Sequence, residues 1–297
     1  VKVTITLLLS LLVAPLAGLA ATGIARPNIV IIFADDLGYG DVRCYNGQSK
    51  VATPNIDRLA REGMRFTDAH SPATVCTPSR YSLMTGQMAF RVPNGGRVFE
   101  AVGGPSLIAP GRLTLPVMLR ANGYATACIG KWHLGLTFFD QAGQPVRGNG
   151  VEAVRRVDFS RRIEGGPLDH GFDRFFGTAC CPTTDWLYAF IEGGRVPAPP
   201  TRPLDKSKLP KHPYANDCRA GLIATNSPME EIDLVFLKKS REFLEQHVRQ
   251  SPGQLYNLEA DPGETNNLYF EQPQIVQELK ALLDQSNVSG RSRPERL

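Results

Sequence analysis

Asn28-Ile29-Val30-Ile31-Ile32-Phe33-Ala34 runs directly into Asp35-Asp36. Seven residues, mostly β-branched and without polar alternation, predict a strand buried on both faces of a parallel sheet. The two acids mark its carboxyl end, which in open α/β sheets is where ligands bind.

Outward from that strand the pattern changes period. Thr53-Pro54-Asn55 starts a helix over 56–62, with Ile56, Leu59 and Ala60 on one face and Gly63 as its stop. A second helix is predicted over 79–85, closed by Gly86, and a third over 115–121, ended by Asn122-Gly123. Tyr124-Ala125-Thr126-Ala127-Cys128-Ile129 then reads as another strand, followed at once by Gly130-Lys131-Trp132-His133. Strand, helix, helix, strand defines an α/β fold, with a mostly parallel sheet flanked by helices.

The rest of the chain is less regular. Residues 138–213 are rich in Gly and Pro and read as surface loop or insertion, with 197–203 least suited to regular structure. A long helix is predicted over 230–248, ended by Pro252-Gly253. A short strand over 255–258, a turn over 261–264 and a helix over 274–285 follow, the last turning Ile275, Leu279, Leu282 and Leu283 inward. The domain reading is a leader over 1–21, an α/β domain over 26–250 and a C-terminal remnant over 251–297.

Composition narrows the function classes. The 297 residues are 42% hydrophobic and 21% charged, which excludes a disordered polymer and a disulfide-stapled miniprotein. A net charge of +4, with no basic run of five or more, gives no electrostatic case for nucleic acid. The apolar stretch from Val3 to Ala20, finished by small residues, reads as a signal peptide cut between Ala21 and Arg26, with an uncleaved anchor as the alternative. Cleavage delivers a protein free of the membrane to a periplasm or the outside. Cysteines at 44, 76, 128, 180, 181 and 218 contain no C-x-x-C pair, which argues against a thiolate zinc site, and their connectivity cannot be deduced.

Three segments carry chemistry. Asp35 and Asp36 repel one another unless a cation joins them, and a hard divalent ion suits two carboxylates; the plain alternative is an Asp-Asp turn. Cys76-Thr77-Pro78-Ser79-Arg80 places a thiol just before a Pro-initiated helix, at the positive end of its dipole, with Arg80 one turn in. That arrangement welcomes an oxyanion such as sulfate or phosphate, against a helix start with an inert Cys. Gly130-Lys131-Trp132-His133-Leu134-Gly135 presents Lys131 and His133 at the same sheet edge, against surface and packing roles for both.

Joined, these segments resemble the sulfatase family of the alkaline-phosphatase-like superfamily. The resemblance runs from Arg26-Pro27-Asn28 through Asp35-Asp36-Leu37-Gly38-Tyr39-Gly40-Asp41, Thr53-Pro54-Asn55-Ile56-Asp57 and Cys76-Thr77-Pro78-Ser79-Arg80 into Gly130-Lys131-Trp132-His133. Gly171-Phe172-Asp173-Arg174-Phe175-Phe176-Gly177 and Leu255-Tyr256-Asn257-Leu258 are further landmarks. It implies that a maturation enzyme reading Cys-x-Pro-x-Arg oxidises Cys76 to formylglycine, whose hydrated aldehyde is the nucleophile on a sulfate ester. It also implies calcium held by Asp35, Asp36 and the modified Cys76, charge offset by Arg80 and Lys131, and a formylglycine hydroxyl oriented by His133. The substrate implied is a sulfated carbohydrate or aryl sulfate.

The family's second-half parts are not in this sequence: a His-bearing segment after a Phe/Leu-rich strand, an Asp-Asn-Gly triplet for the calcium cage, and a further Lys. No Asp-Asn dipeptide occurs. His247 lies in a helix and is not assigned; His70, His170 and His212 have loop, packing or surface readings. The expectation is an incomplete sulfatase with unpaired sheet edges and a calcium site short of oxygens. The rival expectation is a sulfatase-like protein that binds sulfoglycans without hydrolysis, and a third is a phosphate- or phosphonate-ester hydrolase.

Overall fold

The computed structural model describes residues 27–99, 102, 104–211, 216–248, 255, 257, 259–261, 268–269 and 271–289. Residues 1–26, on which the expected signal peptide falls, His212 and most of 249–270 lie outside them, including most of the strand and turn expected over 255–264. Among the described residues no helix is long and apolar enough to cross a membrane. The chain divides into two units, residues 34–247 and a smaller one of 1–33 with 248–297.

Within the larger unit, helix α1 spans Pro54–Glu62, α2 Cys76–Thr85 and α3 Leu115–Ala121. Each has a local cause. Pro54 opens α1, and the Gly63 N–H caps it by donating to the Leu59 carbonyl. Gly86 ends α2 in the left-handed conformation, φ 66°, with its N–H on the Ser82 carbonyl. Thr114 caps α3 by accepting from the Val117 N–H.

Strand β1, Ala127–Lys131, pairs in parallel with β2, Arg174–Thr178, in the register Lys131 to Thr178. Between them lies the short helix α4, Val151–Arg155. Two-residue strands follow: β3 Leu187–Tyr188, β4 Ile191–Glu192, β5 Arg202–Pro203 and β6 Leu222–Ile223. One sheet has the order β1-β2-β4 and the other β3-β6-β5, each with one parallel and one antiparallel pair. Gly177 is required by backbone approach: a Cβ there would meet the Gly130 carbonyl oxygen at 1.8 Å.

Val102, Ile108, Leu134, Leu136, Val154 and Ile191 centre the core. Helix α5, Ile232–Val248, closes a second cluster, its Phe236 meeting Phe176 and Phe190 edge-on at centroid distances of 6.4 and 5.9 Å. In the smaller unit, helix α6 spans Pro273–Ser289.

Four expectations are corrected. Residues 28–34 form no strand, and Ile29 to Phe33 are 44–88% exposed; an apolar run becomes a central strand only when neighbours cover both edges and both faces. Helix α2 begins at Cys76 rather than Ser79, because Val75 is still extended and serves as its N-cap. Residues 138–213 are no mere insertion: they contribute Phe138, Val146, Val154, Phe175, Leu187 and Ile191 to the core, since short elements and hydrogen-bonded turns bury spaced apolar residues without long periodicity. Ile275, Leu279 and Leu282 of α6 are exposed rather than turned inward.

Candidate active site

The carboxyl ends of β1 and β2 continue as a ladder beyond the strands themselves. The Trp132 N–H donates to the Thr178 carbonyl and the His133 N–H to that of Ala179, both at 3.0 Å. Lys131-Trp132-His133 therefore runs beside Thr178-Ala179-Cys180-Cys181. The first turn of α2 docks on the same edge through the buried Thr77, whose Oγ1 donates to the His133 carbonyl at 2.8 Å.

Arg80, one turn into α2, donates from Nη1 to the Lys131 carbonyl at 2.5 Å and sits with Nη2 3.6 Å from Asp35 Oδ1. Lys131 Nζ donates to Asp35 Oδ2 at 2.6 Å. The Lys131 and Arg80 side chains are 8% and 13% exposed, whereas Asp35 is 39% exposed, so two largely buried cations share one carboxylate facing water. Burial alone would lower the Lys131 pKa, but the hydrogen bond to Asp35 and the nearby Cys181, Cys76 and Asp35 charges outweigh it, and the ammonium is held above its ordinary value.

His133 is buried and left-handed, φ 58°, a strained conformation for a non-glycine residue. Its carbonyl, backbone N–H and ring are all engaged, Nε2 lying 2.6 Å from the Phe99 carbonyl oxygen. Since a carbonyl only accepts, Nε2 carries a proton in this contact. Nδ1 is buried without a hydrogen bond of ordinary geometry.

Cys76, the first residue of α2, is partly buried and shares a hydrogen bond with the Cys181 thiol. Cys76 donates and Cys181 accepts, which holds the former above and the latter below the usual thiol range, with His133 and Lys131 also favouring the Cys181 thiolate. Cys181 is the site residue that sequence reasoning missed. Its signal was position alone, three residues past the end of β2, and that strand was not predicted. The neighbouring Cys180 is pushed up by burial and packs toward Asp185.

The six expected groups thus fall into place unequally, with Cys181 added to them. Asp35, Arg80 and Lys131 form one connected set, and Cys76, Cys181 and His133 another beside it. Asp36 is left-handed, φ 54°, and exposed. Among the described residues, no three His, Cys, Asp or Glu side chains are grouped to hold a metal ion. The residues present do not fit calcium: Asp35 is committed to two cations, and two carboxylates fall short of roughly 6–8 oxygen ligands. A cavity of about 670 Å³ against Arg43, Asp57, Arg61 and Arg65 includes none of these residues, so chemistry rather than concavity locates the site.

The family model for sulfatases matches residues 27–256. The chain belongs to the sulfatase family. It is 41% identical over 158 residues to human arylsulfatase H, covering 52% of this chain and 25% of that protein. It is 50% identical over 173 residues to an N-acetylgalactosamine-6-O-sulfatase of Bacteroides thetaiotaomicron, covering 58% and 30%. A solved structure from work on the metabolism of multiple glycosaminoglycans by Bacteroides thetaiotaomicron superposes with a TM-score of 0.58 at 29% identity, over 75% of this chain and 48% of the other. The chain thus spans between a quarter and a third of the length of these two curated relatives. The fold class is that of the alkaline-phosphatase-like sulfatases, carried here by small mixed sheets.

Proposed function

We propose that this chain carries the nucleophile and oxyanion-binding side of a site that hydrolyses sulfate esters, its substrate a sulfated carbohydrate or aryl sulfate. The observation that carries the reading is the placement of Cys76, within Cys-Thr-Pro-Ser-Arg, at the first turn of α2 beside Lys131 and Arg80. Relatives named as an arylsulfatase and as an N-acetylgalactosamine-6-O-sulfatase support the two substrate classes.

Converted to formylglycine by a maturation enzyme, residue 76 supplies a gem-diol oxygen as nucleophile. The chain's own residues do the remainder. Lys131 and Arg80 attract the sulfate group and offset charge that develops on it, and Asp35 fixes the direction of both cations. The Phe99 carbonyl holds the His133 ring through Nε2, and His133 orients the formylglycine hydroxyl. Because the donor set does not fit calcium, Asp35 acts as counter-ion to Lys131 and Arg80 rather than as a metal ligand. The proposed setting is a periplasm or the outside.

Peptide mass spectrometry for formylglycine at residue 76 tests the first step. Sulfate release from a chromogenic aryl sulfate, compared with the matching phosphate ester and with calcium added or chelated, tests the second. No turnover by converted, folded protein overturns hydrolysis by this chain. Among the described residues no three His, Cys, Asp or Glu side chains are grouped to hold a metal ion, which favours a second reading, a non-catalytic binder of sulfoglycans; recovery of bound sulfated oligosaccharide intact would establish it.

A further inference from the structure

Three arginines, Arg43, Arg61 and Arg65, line the cavity of about 670 Å³, and no aromatic side chain lines it. Helix α1 contributes Asp57 and, in its last turn, Arg61. The loop before the helix is pinned to it. The Arg43 N–H donates to Thr53 Oγ1 at 3.0 Å, and Asp57 Oδ1 accepts from the Cys44 N–H at 2.8 Å and from the Thr53 hydroxyl at 3.0 Å. Beyond the helix end, Arg65 donates to the Cys44 carbonyl, and its guanidinium lies 5.6 Å from the centroid of the Tyr45 ring. Loop, helix and following segment thus hold three guanidiniums around one space, while the carboxylate among them is occupied by backbone and hydroxyl donors. Among the described residues no ion pair forms at Arg43, Arg61 or Arg65, and the side chains of Arg43 and Arg61 have no hydrogen-bond partner.

We propose that this cavity is a second binding site, which anchors a sulfate-bearing sugar of a sulfated glycan chain through Arg43, Arg61 and Arg65. Like charges gathered without a counter-ion favour an anion between them, and guanidiniums grip oxyanions through forked pairs of N–H donors. The volume falls in the range of pockets for organic ligands and far exceeds a free sulfate ion, so the anion arrives on a larger molecule. A single-stranded nucleic acid fits poorly, because it needs aromatic faces for its bases and the lining has none. The choice of a sulfated glycan rests on the proposed function; the preference for an anion rests on the three guanidiniums alone. The cavity is lined by none of Cys76, Arg80, Lys131 and His133, so its role is to hold the chain rather than to cleave it.

The test is calorimetric titration of the full chain, made in a host that leaves Cys76 unconverted, with a chondroitin 6-sulfate hexasaccharide, its chemically desulfated counterpart, inorganic sulfate and a single-stranded oligonucleotide. The sulfated hexasaccharide should bind, and the double variant Arg43→Gln, Arg61→Gln should raise its Kd by about tenfold or more, as loss of charged hydrogen bonds does. The charge-matched control Arg155→Gln, Arg241→Gln removes two exposed arginines from α4 and α5 and should change Kd by less than about twofold. On the wild-type chain, the hexasaccharide should protect Arg43 and Arg61 from phenylglyoxal more than Arg155 and Arg241, a measurement that stands even if the double variant does not fold. Unchanged binding by the folded double variant, absence of protection, equal binding of the desulfated chain or of inorganic sulfate, or tighter binding of the oligonucleotide overturns the proposal. Turnover of a small aryl sulfate by converted protein is a separate readout. It should be the same in wild type and in the Arg43→Gln, Arg61→Gln variant, since that substrate has no second sulfate to anchor; its absence from both counts against hydrolysis and leaves the binding result intact.

Discussion

Residues 34–75 and residues 99–224 of the larger unit carry similar apolar material and use it differently. In the second region Ile108, Leu134, Leu136, Val154 and Ile191 are sealed in one cluster. In the first, α1 has no buried residue, and Ile56, Leu59, Met64 and Phe66 are all exposed, Leu59 by 67%. Amphipathic spacing is thus a capacity for burial and not burial itself; an element must also meet a partner surface. The candidate site joins the two regions. Lys131 and His133 rise from the packed side, while Asp35, the carboxylate that directs the cations, comes from the exposed side.

The sharpest way to break this comparison is to truncate one leucine in each region. Leu134→Ala should cost about 2–5 kcal/mol, the range for emptying a sealed core site. Leu59→Ala should change stability by under about 0.5 kcal/mol, as exposed substitutions do. Denaturant midpoints of both variants decide it, and equal costs would mean that α1 is covered in solution.

The join between α2 and the β1 edge gives the next effect. Thr77→Val keeps the shape but leaves the His133 carbonyl without its buried donor, an expected loss of about 1–3 kcal/mol by denaturant unfolding. If the loss is negligible, α2 is not anchored where the site requires it.

Asp35→Asn should cost about 1 kcal/mol or less, because its carboxylate is more than a third exposed and solvent screens the pair. The difference from wild type should shrink as salt is raised. A large, salt-independent loss would place Asp35 on the packed side.

The smallest effect is a pH slope at His170, which is buried, hydrogen-bonded to Ser106 at 2.7 Å and stacked on Trp132. Burial lowers its pKa below 6.5, with the Asp169 charge opposing. In the window below 6.5 the unfolded chain binds the proton that the folded chain refuses. Stability should therefore fall as pH drops through 6.5 and level off once the folded ring also protonates. Denaturant midpoints against pH for wild type and His170→Gln check this; a slope surviving in the variant assigns it elsewhere.

Local signals were legible where the chain supplies its own punctuation. Leu115–Ala121 has the predicted bounds because Thr114 and Asn122-Gly123 bracket it, and α1 and α5 fall within two residues of expectation. The strand over 28–34 was misread for the opposite reason: nothing in those seven residues states whether a neighbour exists. Arg80 and Lys131 were legible as chemistry, from their motif and their place after a strand. Their shared contact with Asp35 was not, since it links positions 96 residues apart.

The amino-acid order alone determined the α/β class, the family and the identities of Cys76, Arg80, Lys131 and His133, because helix stops, strand ends and short motifs are local facts. Tertiary structure decided which of those groups touch. It set Asp35 against two cations and Cys181 against Cys76, since contacts between distant segments follow from the register of β1 on β2 and the docking of α2, which no local window contains.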